Sequence, residues 1–131
     1  MQKCLTTEFA RCVPIIRKKS GRRFSSHDTE RFLWNCSGDI RRLKLAALFQ
    51  MCFPGAPSIY YGDEIGLNGD NDPDCRRCME WNPAKQNADV LSFYKKIIRI
   101  RKKNPCLRTG NIVPLVCEKM TYGYLCQSDN Q

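Results

Sequence analysis

The sequence predicts an α/β fold with a parallel sheet, and three stretches in a fixed order predict it. Residues 40–53, "IRRLKLAALFQMCF", carry apolar side chains at helical spacing. "SIYYG" at 58–62 is a short apolar run rich in β-branched and aromatic residues and bounded by turn formers. Residues 89–103 return to helical spacing. A helix stripe needs a surface to cover, and a short strand that is apolar on both faces needs cover on both sides. Alternation of the two is the pattern of βα units.

Each element has its reason in its residues. "ERFLWNCSGD" reads as a short connection, with Ser37 and Asp39 as capping candidates beside Gly38. In the first helix Ile40, Leu43, Ala47, Leu48 and Met51 share a stripe, and Arg41, Arg42 and Lys44 begin the opposite side. "PGAP" stops it, since proline cannot continue a helix and disfavours helical geometry before it. After "SIYYG" comes a long Gly/Asn/Asp/Pro loop, "DEIGLNGDNDPDCRRCMEWNP", of the size that is functional or disordered. The last helix turns Val90, Leu91, Tyr94, Ile97 and Ile98 inward and its lysines outward, and Asn104-Pro105 ends it. "GNIVPLVC" and "MTYGYLCQ" read as two short strands. Two βα units cannot close a barrel or cover both faces of a sheet, so the chain reads as a piece of a larger architecture.

Bulk properties narrow the function. With 131 residues, 42% hydrophobic and 27% charged, the composition is that of one modest globular domain. No apolar run approaches the ~20 residues that span a bilayer, so no membrane partner is expected. The net charge of +9 invites a nucleic-acid reading, but its distribution opposes one. Residues 1–25 hold seven Lys/Arg against Glu8, a local charge of +6, and residues 26–131 carry only +3. The basic stretch lacks interleaved stacking aromatics and any nucleic-acid motif. The first residues are too weakly apolar for a secretory signal. Their basic, acid-poor character also suits a mitochondrial presequence, and a cytoplasmic location is the default expectation. Nine scattered cysteines form no disulfide framework and read as reduced thiols. Cys75 and Cys78 have C-x-x-C spacing without a second pair or a nearby histidine, so neither a metal nor a cofactor is expected.

The only histidine sits in "SSHDTERF", directly before Asp28. By itself such a pair is a turn, a satisfied surface pair or half of a reaction centre. Together, "SHDTERF", "GDIRRLKLAALFQMCFPGAPSIYYGDEIGL", "NDPDCRRCMEW" and "FYKKIIRIRKKNPCLRTG" resemble the C-terminal part of an alpha-amylase family glycoside hydrolase. The subgroup is that of neopullulanase, cyclomaltodextrinase and maltogenic amylase, and the similarity runs from about Ser26 to Gly110. It implies the last two βα units of a (β/α)8 TIM barrel followed by the start of a C-terminal β-sandwich. The seventh strand would end at His27-Asp28, the seventh helix would be Ile40–Phe53, the eighth strand Ser58–Gly62 and the eighth helix about Asp89–Lys103. The division expected is an atypical basic leader at 1–25, barrel at 26–109 and sandwich at 110–131. "RKKSGRRFS" departs from the apolar seventh strand of the family, because clustered basics would be costly in a barrel wall.

The resemblance also implies roles. Asp28 would be the carboxylate that stabilises the transition state, and His27 a ligand of the sugar hydroxyls. Asp72 and Arg76 would bind the neighbouring sugar on the non-reducing side, with a loop-internal salt bridge as the plainer reading. An oxocarbenium-like centre gains from a fixed carboxylate, which suits Asp28. Asp63 and Glu64, adjacent on a strand-to-loop step, read as structural. The family's nucleophile and acid/base lie on its fourth and fifth strands, so this chain alone is expected to be inactive. The implied function is cleavage of α-1,4-glucosidic bonds in maltodextrins, cyclodextrins or pullulan. A non-catalytic carbohydrate-binding fragment is the alternative. The partner implied is an α-glucan oligosaccharide, with homodimerisation open for the parent enzyme.

Overall fold

The computed structural model describes residues 24–118 and 121–128. The basic leader therefore lies outside the described residues, except for Phe24 and Ser25. Those two pack against the segment that leads into the first helix. The Phe24 ring lies 4.7 Å from that of Phe32, and Ser25 is buried.

Among the described residues the chain runs through α1 (Phe32–Asn35), α2 (Ile40–Cys52), α3 (Ala88–Lys103), α4 (Cys106–Thr109), β1 (Asn111–Glu118) and β2 (Thr121–Gln127). Between α2 and α3 the long loop is punctuated by 3-10 turns at Asp63–Ile65, Asp74–Arg76 and Pro83–Lys85. Helix α2 begins where predicted because the Asp39 carboxylate accepts from the backbone N–H of Arg41. Asn87 caps α3 in the same way through Val90.

The core lies between α1, α2 and α3, where Leu33, Leu43, Ala47, Met51, Val90, Tyr94 and Ile97 bury one another. The expected stripe of α2 is rotated slightly. Leu48 is exposed and Ile40 only half-buried, while Gln50 is buried and donates to the Ser58 carbonyl at 2.9 Å. On α3, Leu91 and Ile98 are half-buried, and Arg101 occupies an inward position. Its guanidinium donates to the carbonyls of Met51, Phe53, Gly55 and Leu107. That takes up carbonyls at and just beyond the C-terminus of α2, which have no intrahelical partner.

The parallel sheet expected around residues 58–62 would pair them with a seventh strand whose residues before 24 lie outside the described residues. Residues 58–60 carry no strand assignment, and 61–62 already turn. A strand exists only through ladder hydrogen bonds to a neighbour, and the sheet found among the described residues is the antiparallel β1–β2 pair. These two strands fall where predicted and pair from Asn111↔Gln127 to Glu118↔Thr121, with an irregularity between Pro114 and Val116. The hairpin is fastened to α2 through aromatic rings. Tyr124 lies 6.1 Å from Phe49 and 5.7 Å from Phe53, and Tyr122 lies 6.0 Å from Phe49.

Arg31 joins the first segment to the loop. It is fully buried, its Nη1 donates to the Tyr61 carbonyl at 2.6 Å, and the same atom lies 3.3 Å from Asp63 Oδ1. Its guanidinium carbon is 4.7 Å from the ring centroids of both Tyr60 and Tyr61. Nε and Nη2 have no hydrogen-bond partner among the described residues, so the two ring faces supply part of the compensation for a buried cation. Gly62 permits the bend, with φ of 87° and no room for a Cβ, which would lie 2.7 Å from Leu67 Cδ2. As read from the sequence, Asp63 is structural. Burial pushes its carboxyl up from 3.8 to about 6, even though the Ser25 hydroxyl and Arg31 pull it down.

Two outcomes are expected. Ile97→Ala empties the centre of the α2–α3 contact and should cost about 2–5 kcal/mol in urea unfolding. Asp63 binds its proton more tightly folded than unfolded, so its contribution favours the folded state below about pH 4 and is lost as pH rises to about 6. The two values are roughly two apart, at about 1.4 kcal/mol each, which makes the loss about 3 kcal/mol. Unfolding free energies across that range should show this slope, and Asp63→Asn should flatten it.

Candidate functional site

His27 and Asp28 form the tip of a tight turn. Ser26 and Thr29 bridge across its base, their hydroxyls 3.0 Å apart, and the Asp28 N–H donates to the Ser26 hydroxyl at 3.3 Å. The tip faces solvent, while Ser25 and Arg31 on either side are buried. His27 Nε2 lies 3.1 Å from Asp28 Oδ1, with both side chains more than half exposed. Of the three readings open to the sequence, the turn and the surface pair both exist. An exposed carboxylate beside an imidazole can still accept hydroxyl protons and oppose a developing positive charge.

Asp72 and Arg76 sit on the loop that faces this turn. Arg76 Nε lies 2.6 Å from Asp72 Oδ1, with each side chain half exposed. The loop-internal salt bridge is therefore formed, and at this exposure it contributes about 0–1 kcal/mol. The same Nε donates to the His27 carbonyl at 3.2 Å. Among the described residues the terminal guanidinium nitrogens of Arg76 make no hydrogen bond, so a planar fork remains for vicinal hydroxyls.

The loop holds its own shape. Asp74 accepts from the Asp70 N–H at 2.7 Å and from Arg77 Nε at 2.6 Å, and these contacts hold its carboxyl below the usual range. The Asp72–Pro73 peptide is cis. Tyr61 reaches across from the strand-to-loop step and donates its hydroxyl to the Arg77 carbonyl at 2.8 Å.

Sequence reasoning missed Cys75. Its thiol is fully buried and donates to the His27 carbonyl at 3.4 Å, beside the Arg76 contact. C-x-x-C spacing drew attention to redox and metal chemistry, whereas this thiol fills the seam between turn and loop. Cys78 is exposed, and both are free thiols. No group of three metal-ligating side chains occurs among the described residues. Likewise, no helix among them is long and apolar enough to cross a membrane. All four predicted residues thus fall on two neighbouring segments that meet at the His27 carbonyl.

Comparison with known proteins agrees with these segments. The family model described as "Alpha amylase, catalytic domain" matches residues 5–88. The match begins inside the stretch read as a basic leader and ends at the start of α3. Cyclomaltodextrinase from Thermoanaerobacter pseudethanolicus is 47% identical over 111 residues, 85% of this chain and 19% of the relative. Neopullulanase 2 from Thermoactinomyces vulgaris is 53% identical over 87 residues, 66% of this chain and 15% of that protein. A solved cyclomaltodextrinase structure superposes with a TM-score of 0.78 at 46% identity, over 83% of this chain and 19% of its own. The chain thus spans under a fifth of the length of these relatives. Its matched region and the architecture it shares with them make it a member of the alpha-amylase family.

Proposed function

We propose that this chain supplies the seventh and eighth βα units of a glycoside hydrolase that cleaves α-1,4-glucosidic bonds in maltodextrins, cyclodextrins or pullulan. Residues from 110 onward would open its β-sandwich, and the setting would be the cytoplasm. The observation that carries the reading is the meeting of the two arms. Arg76, paired with Asp72, donates to the His27 carbonyl, so the turn and the loop present their polar groups side by side. In this reading Asp28 opposes the positive charge that develops on the sugar ring. His27 takes a hydroxyl of the same sugar, and Asp72 with Arg76 divide acceptor and donor roles on its neighbour.

The roles separate kinetically in a complete enzyme carrying this segment. A group used only in the transition state lowers kcat when it is removed, and a group used equally in binding raises KM. Asp28→Asn should lower kcat about a hundredfold or more with KM nearly unchanged. Arg76→Ala should raise KM for short maltodextrins about tenfold, a binding loss of about 1.4 kcal/mol, and leave kcat close to wild type. A pure KM effect at Asp28 would make it a binding group. Unchanged kinetics at Arg76 would leave only the loop salt bridge.

The nucleophile and acid/base belong in this reading to other strands of the barrel, so the 131-residue chain alone should release no sugar from cyclomaltodextrin. Turnover by the purified chain would place the catalytic carboxyls within it. Binding without turnover is the outcome that a carbohydrate-binding role predicts.

A further inference from the structure

We infer that Gly69 is a positioning residue of the candidate glucan site: having no side chain, it lets the Asp72–Arg76 arm lie against the stem of the His27–Asp28 turn. The inference rests on the glucan reading above and adds to it a residue that touches no sugar. A Cβ at Gly69 would fall 2.7 Å from the Asp74 carbonyl oxygen and 3.2 Å from Cys75 Cα. Both neighbours are backbone, so neither can swing aside. Gly69 is not among the residues with positive φ. Close approach, and not a left-handed backbone, is what excludes a side chain here.

Gly69 also faces the turn. Its carbonyl accepts from the backbone N–H of Arg31 at 3.0 Å, and Arg31, fully buried, is the stem by which the chain leaves the turn. One residue thus has the stem of the turn hydrogen-bonded to it and the backbone of the arm packed on it. Further along the arm, Cys75 Sγ at 3.4 Å and Arg76 Nε at 3.2 Å both donate to the His27 carbonyl. Arm and turn therefore touch at two places, at the stem through Gly69 and at the tip through the His27 carbonyl.

The arm is too well braced to absorb a displacement between those two places. Asp74 Oδ2 accepts from the Asp70 N–H at 2.7 Å, and the Asn71 carbonyl accepts from the N–H of Asp74 at 2.8 Å. A methyl group at position 69 must open the 2.7 Å contact toward an ordinary van der Waals separation of 3.4 Å or more. That shift passes along the brace to Cys75 and Arg76, whose donors then draw away from the His27 carbonyl. Displacing a catalytic constellation by ~1 Å can lower a rate about a hundredfold, and this movement approaches that size.

The test reads the His27 carbonyl directly. Histidine labelled with carbon-13 at its carbonyl carbon gives one NMR signal from the full chain, because His27 is its only histidine. Loss of hydrogen-bond donors moves a carbonyl carbon signal upfield. In Gly69→Ala the signal should move upfield, with helical circular dichroism retained. Cys75→Ala, which removes one donor and brings no clash, should move it the same way by less, and it provides the readout if Gly69→Ala fails to fold. In a complete enzyme carrying this segment, Gly69→Ala should lower kcat/KM for short maltodextrins at least tenfold, through KM and kcat together, and Cys75→Ala should do so in smaller measure. An unmoved carbonyl signal in a folded variant, or a moved signal with wild-type kinetics in that variant, overturns the inference. A moved signal together with wild-type kinetics for both Asp28→Asn and Arg76→Ala overturns the glucan reading and leaves the seam at Gly69 standing.

Discussion

The buried pair of Arg31 and Asp63 is the contact on which the arrangement of the described residues depends. A guanidinium removed from water needs acceptors and polarisable surface close by. Asp63, the Tyr61 carbonyl and the rings of Tyr60 and Tyr61 provide them. All of these belong to one stretch of four residues, so satisfying Arg31 fixes where that stretch lies against the start of α1. The Gly69 carbonyl, which accepts from the Arg31 backbone N–H at 3.0 Å, extends the same attachment into the loop.

Helix packing and site geometry are consequently separate matters. The apolar contact of α2 with α3 would tolerate many loop conformations, because hydrophobic burial is not directional. Polar contacts are directional, and those around Arg31 and Arg101 decide which loop conformation is kept. Arg101 gathers four carbonyls at the end of α2 and before β1, while Arg31 does the corresponding work at the other end. Each buried cation donates to backbone carbonyls, Arg101 to four and Arg31 to that of Tyr61.

The candidate site shows the same division between exposed function and buried support. His27, Asp28, Asp72 and Arg76 are exposed and polar, which suits the sugar contacts proposed for them. Cys75, Ser25 and Asp63 are buried directly behind them. Membership of the alpha-amylase family fits this layout, since sites of TIM-barrel enzymes are assembled from loops at the ends of the strands.

Much of this was legible in the sequence. Helical spacing, the capping residue Asp39 and the stop at Asn104-Pro105 located α2 and α3 to within about a residue, because those signals are local. The motifs around "SHDT" and "NDPDCRR" named the family and the candidate residues. The tertiary structure alone decided the rest. Leu48 faces solvent and Gln50 the interior because the neighbouring segments set the rotation of the helix. "SIYYG" carries the composition of a strand but no strand assignment among the described residues, since a ladder is a property of two segments and not of composition. That Cys75 closes on the His27 carbonyl from 48 positions away, and that Asp63 meets Arg31 from 32 positions away, could not be read from spacing. Such contacts depend on where distant backbone carbonyls and carboxylates come to rest, and only the folded chain brings them together.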